Sequence, residues 1–377
     1  MNEAEKLHHL ARLRSLILRQ RFGGGAGPRP AAEDGMSRRD FLARGATLGA
    51  AGAAALALGG GSALLAGCGG SNEGGLNNND PIAAGTRLLV STFLEGTVEA
   101  LDPNTGRSVG TFFPRVNTDT TTAGVRAGAG GRVYIFSPGA NRFYICDAAT
   151  GQVRREVVLR ETQTPHCGAV GPDGNLYVVN APSLNNRLTV GPDSVEVFTP
   201  DGDRLRTFIS GADTPEMRSP FGIAWGPDGN LYVTSVLAYL PFADGSDYVS
   251  RYDGQTGRFL GYVARSVKVP FNINFHPDGY LMVIEHFYNR VALYDLNTGK
   301  LKDAFADADF CIDAQFGPDG TLYMTSFTDM DGIEAIFDNR SDDAKNKGRI
   351  LRYDGKNGKK MGTVADKLVF SGYIAFV

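Results

Sequence analysis

The side chains of this sequence that can do chemistry are few, and they fall at repeating positions. His166 follows Pro165. Asn272 and Asp313 stand one place further along the same kind of segment, and Asn180, Glu285 and His286 close the segment that comes next. An Asn, an Asp and a Glu offer hard oxygens of the kind that hold Ca2+ or another divalent cation. An imidazole can take or give a proton near neutral pH. Asn272, Asp313 and Glu285 are therefore the candidate metal ligands, and His166 and His286 the candidate catalytic acid and base. A second set suits ligand binding without chemistry: Asn180 with the rings of Phe221, Phe271, Tyr239 and Phe242. The sequence favours the second use, because an isolated His or Glu in such a place is more often a satisfied polar residue than a catalyst.

What must position these residues is a repeat. The chain writes GPDGNLYVVN from Gly171, GPDGNLYVTS from Gly226, HPDGYLMVIE from His276 and GPDGTLYMTS from Gly317. Pro-Asp-Gly is turn chemistry: Pro presets φ, Asp bonds back to its own backbone, and Gly accepts positive φ. The residues that follow are β-formers. A second phrase comes later in each copy, as in VSRYDGQTGR from Val249 and VALYDLNTGK from Val291, and reads as strand, Gly turn, strand. An apolar strand such as PFGIAW from Pro220 precedes each Pro-Asp-Gly. The unit is four short antiparallel strands, a to d, which is one propeller blade. Six copies of the second phrase predict an all-β, six-bladed β-propeller of four-stranded antiparallel blades over residues 86–377. The first copy lacks strand a, and the final SGYIAFV, residues 371–377, aligns with PFGIAW. The C-terminal strand is thus expected to join the first blade and close the ring, which limits exposed sheet edges.

Aligning the blades gives Ala123, His166, Phe221, Phe271, Ile312 and Gly372 at one strand-a position. The next position carries Gly124, Cys167, Gly222, Asn272, Asp313 and Tyr373. Strand b ends with Thr92, Ser137, Asn180, Ser235, Glu285 and Ser326. These positions surround the channel mouth at the end opposite the Pro-Asp-Gly turns. The long insertions, Ala181–Ser194, Val236–Asp247 and Phe327–Gly348, are all b–c loops at that same end. Loops lengthened on one face of a rigid scaffold usually carry binding. An apolar cluster that includes Tyr239 and Phe242 within one of them points to a ligand or partner contact.

The segment PFGIAWGPDGNLYVTS, followed by VSRYDGQTGRFLGYV, resembles the NHL repeat and the similar repeat of virginiamycin B lyase. The gluconolactonase propellers are more distant relatives. The resemblance covers roughly residues 86–377 and implies the fold more than an activity, since such repeats occur in enzymes and binding modules alike. Amidating lyases with this repeat carry zinc on Pro-His at three strand-a starts. Here Pro165-His166 matches, while Pro220-Phe221 and Pro270-Phe271 do not. Lactonases converge a Glu, an Asn and an Asp on a cation. Asn272 and Asp313 match in place, but Glu285 comes from strand b. Of the paired catalytic histidines of the virginiamycin lyases, His286 can stand for one, with no second after it.

The N-terminus carries its own signal. Ser37-Arg38-Arg39-Asp40-Phe41-Leu42 resembles a twin-arginine export motif. An Ala- and Gly-rich apolar run from Ala46 to Ala66 follows and ends in Leu65-Ala66-Gly67-Cys68, which resembles a lipobox. Residues 36–68 are expected to be a signal peptide with Cys68 lipidated, and residues 69–85 a flexible tether. The alternative is a transmembrane helix over 46–66 with a chance Cys after it. Residues 1–35 are read as a misassigned extension before a true start at Met36, the rival being a real basic extension. Export by this route implies a protein folded before it crosses, anchored by lipid to the cell envelope.

Composition agrees. Beyond Cys68, 29 basic face 36 acidic side chains, a net charge of −7. That is a poor match to nucleic acid, which demands a concentrated basic face. Cys146, Cys167 and Cys311 fall on strands too far apart to bridge. The sequence therefore predicts a monomeric, lipid-anchored module that binds a small ligand or an envelope protein through its b–c face. The alternatives are a lyase or lactonase using a divalent cation, and a purely structural scaffold.

Overall fold

Three of the four Pro-Asp-Gly turns close on their own aspartate, and in the fourth His276 Nδ1 accepts the Asp278 N–H at 3.1 Å. Asp173 Oδ1 accepts the Asn175 N–H at 3.1 Å, and its Oδ2 accepts the Tyr177 hydroxyl at 3.0 Å. Asp228 repeats both contacts, at 3.1 and 2.8 Å. The Tyr two places into the next strand is thereby fixed, and with it the register of the hairpin. In the c–d turns Asp147 Oδ1 accepts the N–H groups of Ala149 and Thr150, both at 2.9 Å, and Asp253 and Asp295 do the same for their own turns. The glycine that follows cannot be replaced without cost. Gly299 has φ +65°, and a Cβ there would lie 2.2 Å from the Val263 carbonyl oxygen of the preceding blade. Gly106, Gly151, Gly257 and Gly358 press in the same way on Val364, Phe112, Phe208 and Phe305. The TG of the repeat is thus where one blade leans on its neighbour.

The computed structural model describes residues 85–377, except 93–94, 117–121, 161–162, 183–191, 237–246, 328–347 and 370. Among them, 24 strands form six antiparallel sheets of four. The inner strands are β4 (Val125–Gly128), β8 (Pro165–Val170), β12 (Pro220–Trp225), β16 (Pro270–Phe275), β20 (Ala314–Phe316) and β24 (Ser371–Phe376). The all-β six-bladed ring expected from the repeat is the fold. Its closure is also as expected: β24 pairs with β1 (Leu88–Thr92), Leu88 opposite Phe376, Leu89 opposite Ala375 and Val90 opposite Ile374. Arg87 and Val377 exchange two backbone hydrogen bonds, at 2.8 and 3.0 Å, to seal the seam.

The core lies between blades. Trp225 of β12 packs edge-on against Tyr177 of the third blade, ring centres 4.9 Å apart, with Phe208 beside it. His276, in the fifth blade's a–b turn, sets its ring between Phe305 and Phe316 and places Nε2 2.9 Å from the Gly355 carbonyl oxygen. It ties the fifth blade to the sixth. Cys146, Cys167 and Cys311 are buried free thiols. The export motif with Arg38 and Arg39, the lipobox with Cys68, and Tyr239 and Phe242 lie outside the described residues, as does most of each long b–c loop.

Candidate functional site

The inner strands begin irregularly, and this irregularity aims the site residues. Register against strand b breaks between Pro165 and Cys167, between Pro220 and Ile223, and between Pro270 and Asn272. A bulge adds a residue on one side of a pair and turns its side chain to a new direction. Where the ladder lapses, strand-b hydroxyls take the backbone N–H groups. Gly222 donates to Thr234 Oγ1 at 2.6 Å, Asp313 to Thr325 Oγ1 at 2.9 Å, and Tyr373 to Ser91 Oγ at 2.7 Å.

The second aligned position forms a collar around the axis. Gly124 N–H donates to the His166 carbonyl at 3.1 Å, and the Cys167 thiol to the Phe221 carbonyl at 2.6 Å. Gly222 has no room for a side chain because Asn272 Cα would be 3.1 Å from its Cβ. Asn272 donates its amide to Asp313 Oδ1, and Asp313 Oδ2 accepts the Ile374 N–H at 3.0 Å. The Ser91 hydroxyl donates to the Ala123 carbonyl at 3.0 Å across the last gap. Each blade is thus joined to the next at one level, and Cys167, Asn272, Asp313 and Tyr373 are fully buried there. Burial raises the Asp313 carboxyl to about 6, against the pull of its N–H donors and of the Arg126 charge.

The candidate cation ligands do not converge. Asn272 and Asp313 meet, but Glu285, at the end of β17 (Leu281–Glu285), is held within its own blade. Arg290 Nε donates to its Oε2 at 2.6 Å and the Tyr294 hydroxyl to its Oε1 at 3.2 Å. Arg290 and Tyr294 lie on strand c, so they draw the carboxylate away from the axis. At Asp313, Oδ1 also accepts the Ala314 N–H at 2.8 Å, and Asn272 Oδ1 accepts the Ile273 N–H at 2.7 Å. Each of these oxygens already accepts an N–H and no third ligand joins them, so the pair does not fit a cation. Among the described residues no group of three or more His, Cys, Asp or Glu side chains comes together to hold one.

The two candidate histidines belong to one aromatic row but do not touch. His166 lies 5.0 Å from Phe221, Phe221 6.2 Å from Phe271, and Phe271 4.4 Å from His286, between ring centres. His286 Nδ1 sits 2.9 Å from the Cys311 carbonyl oxygen, which ties it to the segment entering the sixth blade. His166 differs. It is fully buried, and neither ring nitrogen has a hydrogen-bond partner. Burial alone pushes its pKa down to about 3, and burial against the opposing Cys311 carbonyl lowers that of His286 to about 4, so both imidazoles are neutral at physiological pH. Asn180 ends β9 (Leu176–Asn180) opposite Pro165, and its Oδ1 is also buried without a partner. The third blade therefore carries three unused polar atoms at the end where the long loops leave.

Sequence reasoning missed Arg126. It stands two places beyond Gly124, where the other blades have Ala169, Ala224, Asn274, Gln315 and Ala375. In a strand, positions two apart share a face, so this set lines the channel one level on from the collar, towards the Pro-Asp-Gly turns. The signal was an Arg at the centre of a strand whose neighbouring blades carry Ala. Arg126 Nε donates to the Gly168 carbonyl at 3.2 Å, while Nη2 is buried with no partner. Burial lowers its pKa to about 9, with Asp313 opposing.

No protein-family model matches the chain, and no curated protein is significantly similar to it in sequence. Solved structures do match. A protein of unknown function from Bacteroides caccae is 15% identical with a TM-score of 0.57, covering 78% of this chain and 98% of that one. A chain of a nidogen–laminin complex is also 15% identical, with a TM-score of 0.59 and the same coverage. A gluconolactonase from Xanthomonas campestris is 20% identical with a TM-score of 0.51, covering 64% of this chain and 79% of that one. At these identities the likeness shows the fold alone, and the proteins that share it are as different as a chain of a nidogen–laminin complex and a gluconolactonase.

Proposed function

We propose that this chain is an exported, lipid-anchored binding module that takes a neutral small ligand at the loop-bearing end of the third blade. The observation that carries the reading is the unused hydrogen-bonding capacity of His166 Nδ1, His166 Nε2 and Asn180 Oδ1, all buried. Each buried polar atom without a partner costs roughly 1–3 kcal/mol. A ring that keeps three of them at one place is less stable than it need be, a cost typical of functional sites. A neutral imidazole offers one donor and one acceptor, and the Asn oxygen a further acceptor. With Phe221 against His166, the chemistry suits a hydroxyl-bearing ring with one apolar face. Anchoring rests on Ser37–Leu42 and Cys68, and kinship with NHL and virginiamycin B lyase propellers rests on the repeat residues.

Two measurements test this. In membrane fractionation the wild-type chain is expected with the envelope, and Cys68→Ser in the soluble exported fraction. Equal membrane association of the two would exclude the lipid anchor. In a thermal-shift screen of neutral polyols, lactones and cyclic amides, a saturable stabilisation is expected that Asn180→Leu removes. A second reading, a lactonase or lyase aided by a divalent cation, is favoured only by the fold shared with a gluconolactonase. Cation-dependent lactone hydrolysis lost in Asp313→Asn would support it.

A further inference from the structure

We propose that the central channel holds a second ligand site, opening at the Pro-Asp-Gly end, in which Arg126 and Tyr373 bind a small carboxylate anion. The channel is asymmetric along its axis. At the collar Cys167, Asn272, Asp313 and Tyr373 have no exposure, while one level on Arg126 is 5% and Gln315 8% exposed. Of the next residues along the inner strands, Ala127, Val170, Phe275 and Phe316 are partly exposed, while Trp225 and Phe376 are buried. The collar is therefore a floor, and the cup above it opens towards the a–b turns, not towards the long loops.

Two donors are buried at this level without acceptors, Arg126 Nη2 and the Tyr373 hydroxyl. They come from adjacent blades, and each feels the other's charge. Asp313 is the nearby counter-charge, but its oxygens are already taken by Asn272, Ala314 and Ile374. Neither donor has an acceptor, and a carboxylate supplies two oxygens that Arg recognises well. Ala169 and Ala375, at the same level on the two flanking blades, leave room beside the guanidinium for a ligand of a few heavy atoms. A neutral carbonyl would fill one bond but add no charge to offset the desolvation that lowers the guanidinium to about 9.

The site has a pH signature. An ionised Asp313 repels the anion, and its carboxyl titrates near 6. The ionisable groups around it are Arg126 from β4, Cys167 from β8, Tyr373 from β24 and the adjoining Cys311; both thiols and the phenol are pushed well up by burial and stay protonated. Anion binding is thus linked to proton uptake at Asp313, and affinity rises as pH falls through 6.

The test is a thermal-shift titration of the full chain with sodium formate, acetate and propionate at constant ionic strength, with acetamide as the neutral control. Expected are a saturable rise with at least one carboxylate, none with acetamide, and an affinity about tenfold tighter at pH 5.5 than at 7.5. Arg126→Gln should abolish the response, and Tyr373→Phe, which removes only a hydroxyl, should weaken it several-fold. A response absent in wild type, equal with acetamide, or unchanged in Tyr373→Phe overturns the proposal, even where Arg126→Gln does not fold.

Discussion

A chain lacking residues 371–377 is expected to lose cooperative folding altogether. The deletion takes away the innermost strand of the first blade, all six residues of which are buried. It uncovers Leu88, Leu89 and Val90 of β1, which have no exposure in the ring. Tyr373, Ile374 and Phe376 alone represent several kcal/mol of lost burial at about 1.5–3 kcal/mol per large side chain. Whole domains of this size hold only about 5–15 kcal/mol. The Ile374 N–H also leaves Asp313, so the collar opens at a buried carboxylate. The truncated chain should show no sigmoidal melt by circular dichroism and should aggregate through its open edges. A melt within a few degrees of the full chain would mean that the seam is not what closes the ring. Ile374→Asp, which puts a charge into the same strand, should give most of the same loss.

His166→Phe is expected to make the protein more stable, by roughly 1–3 kcal/mol at pH 7, because it removes two buried nitrogens without partners. Phe fits the place: the neighbouring blades carry Phe221 and Phe271 there, stacked in the same row. The gain should grow in acid. The folded pKa of His166 is about 3 and that of His286 about 4, both below the ordinary 6.5, so the unfolded chain takes up these protons first. Stability from both groups is present above pH 6.5 and lost as pH falls. Asp313 works the other way. Its folded pKa near 6 lies above 3.8, so the folded chain gains as pH falls through 6. Between pH 7 and 5 each histidine removes roughly 2 kcal/mol and Asp313 returns about 1, a net loss of about 2–3 kcal/mol. In His166→Phe the loss should shrink to about 1 kcal/mol. Urea midpoints at the two pH values measure both effects. A variant less stable than wild type at pH 7 would show that His166 is satisfied in the native ring and would remove the argument for a binding site there.

Much of this architecture is legible in the residues. Pro-Asp-Gly and Asp-x-x-Thr-Gly name two turns whose geometry depends only on local bonds, such as Asp173 to Tyr177 and Asp147 to Thr150. Local chemistry of that kind does not depend on what the rest of the chain does. The closing strand was legible because SGYIAFV repeats the apolar spacing of PFGIAW, and the ring has one vacancy for it. The site is harder to read, because its geometry depends on which blade a side chain turns towards. Glu285 aligns with Asn180 at the end of strand b, yet Arg290 and Tyr294 in its own blade claim it. No spacing rule foretells that ion pair. Arg126 escaped notice for the opposite reason. It lies inside a strand, away from the bulges, and only the level it shares with Asn274 and Gln315 places it on the axis. Its cup opens at the Pro-Asp-Gly end, which the repeat alone marks as a plain structural face.

The most direct test of a binding role for the third blade is native mass spectrometry of the protein purified from its own cells and exposed to an extract of their envelope. The wild-type chain is predicted to carry a non-covalent small-molecule adduct that is absent from His166→Phe and from Asn180→Leu, with all three proteins folded. Identical masses for the three, with no adduct on the wild type after exposure to the envelope extract, would contradict the account.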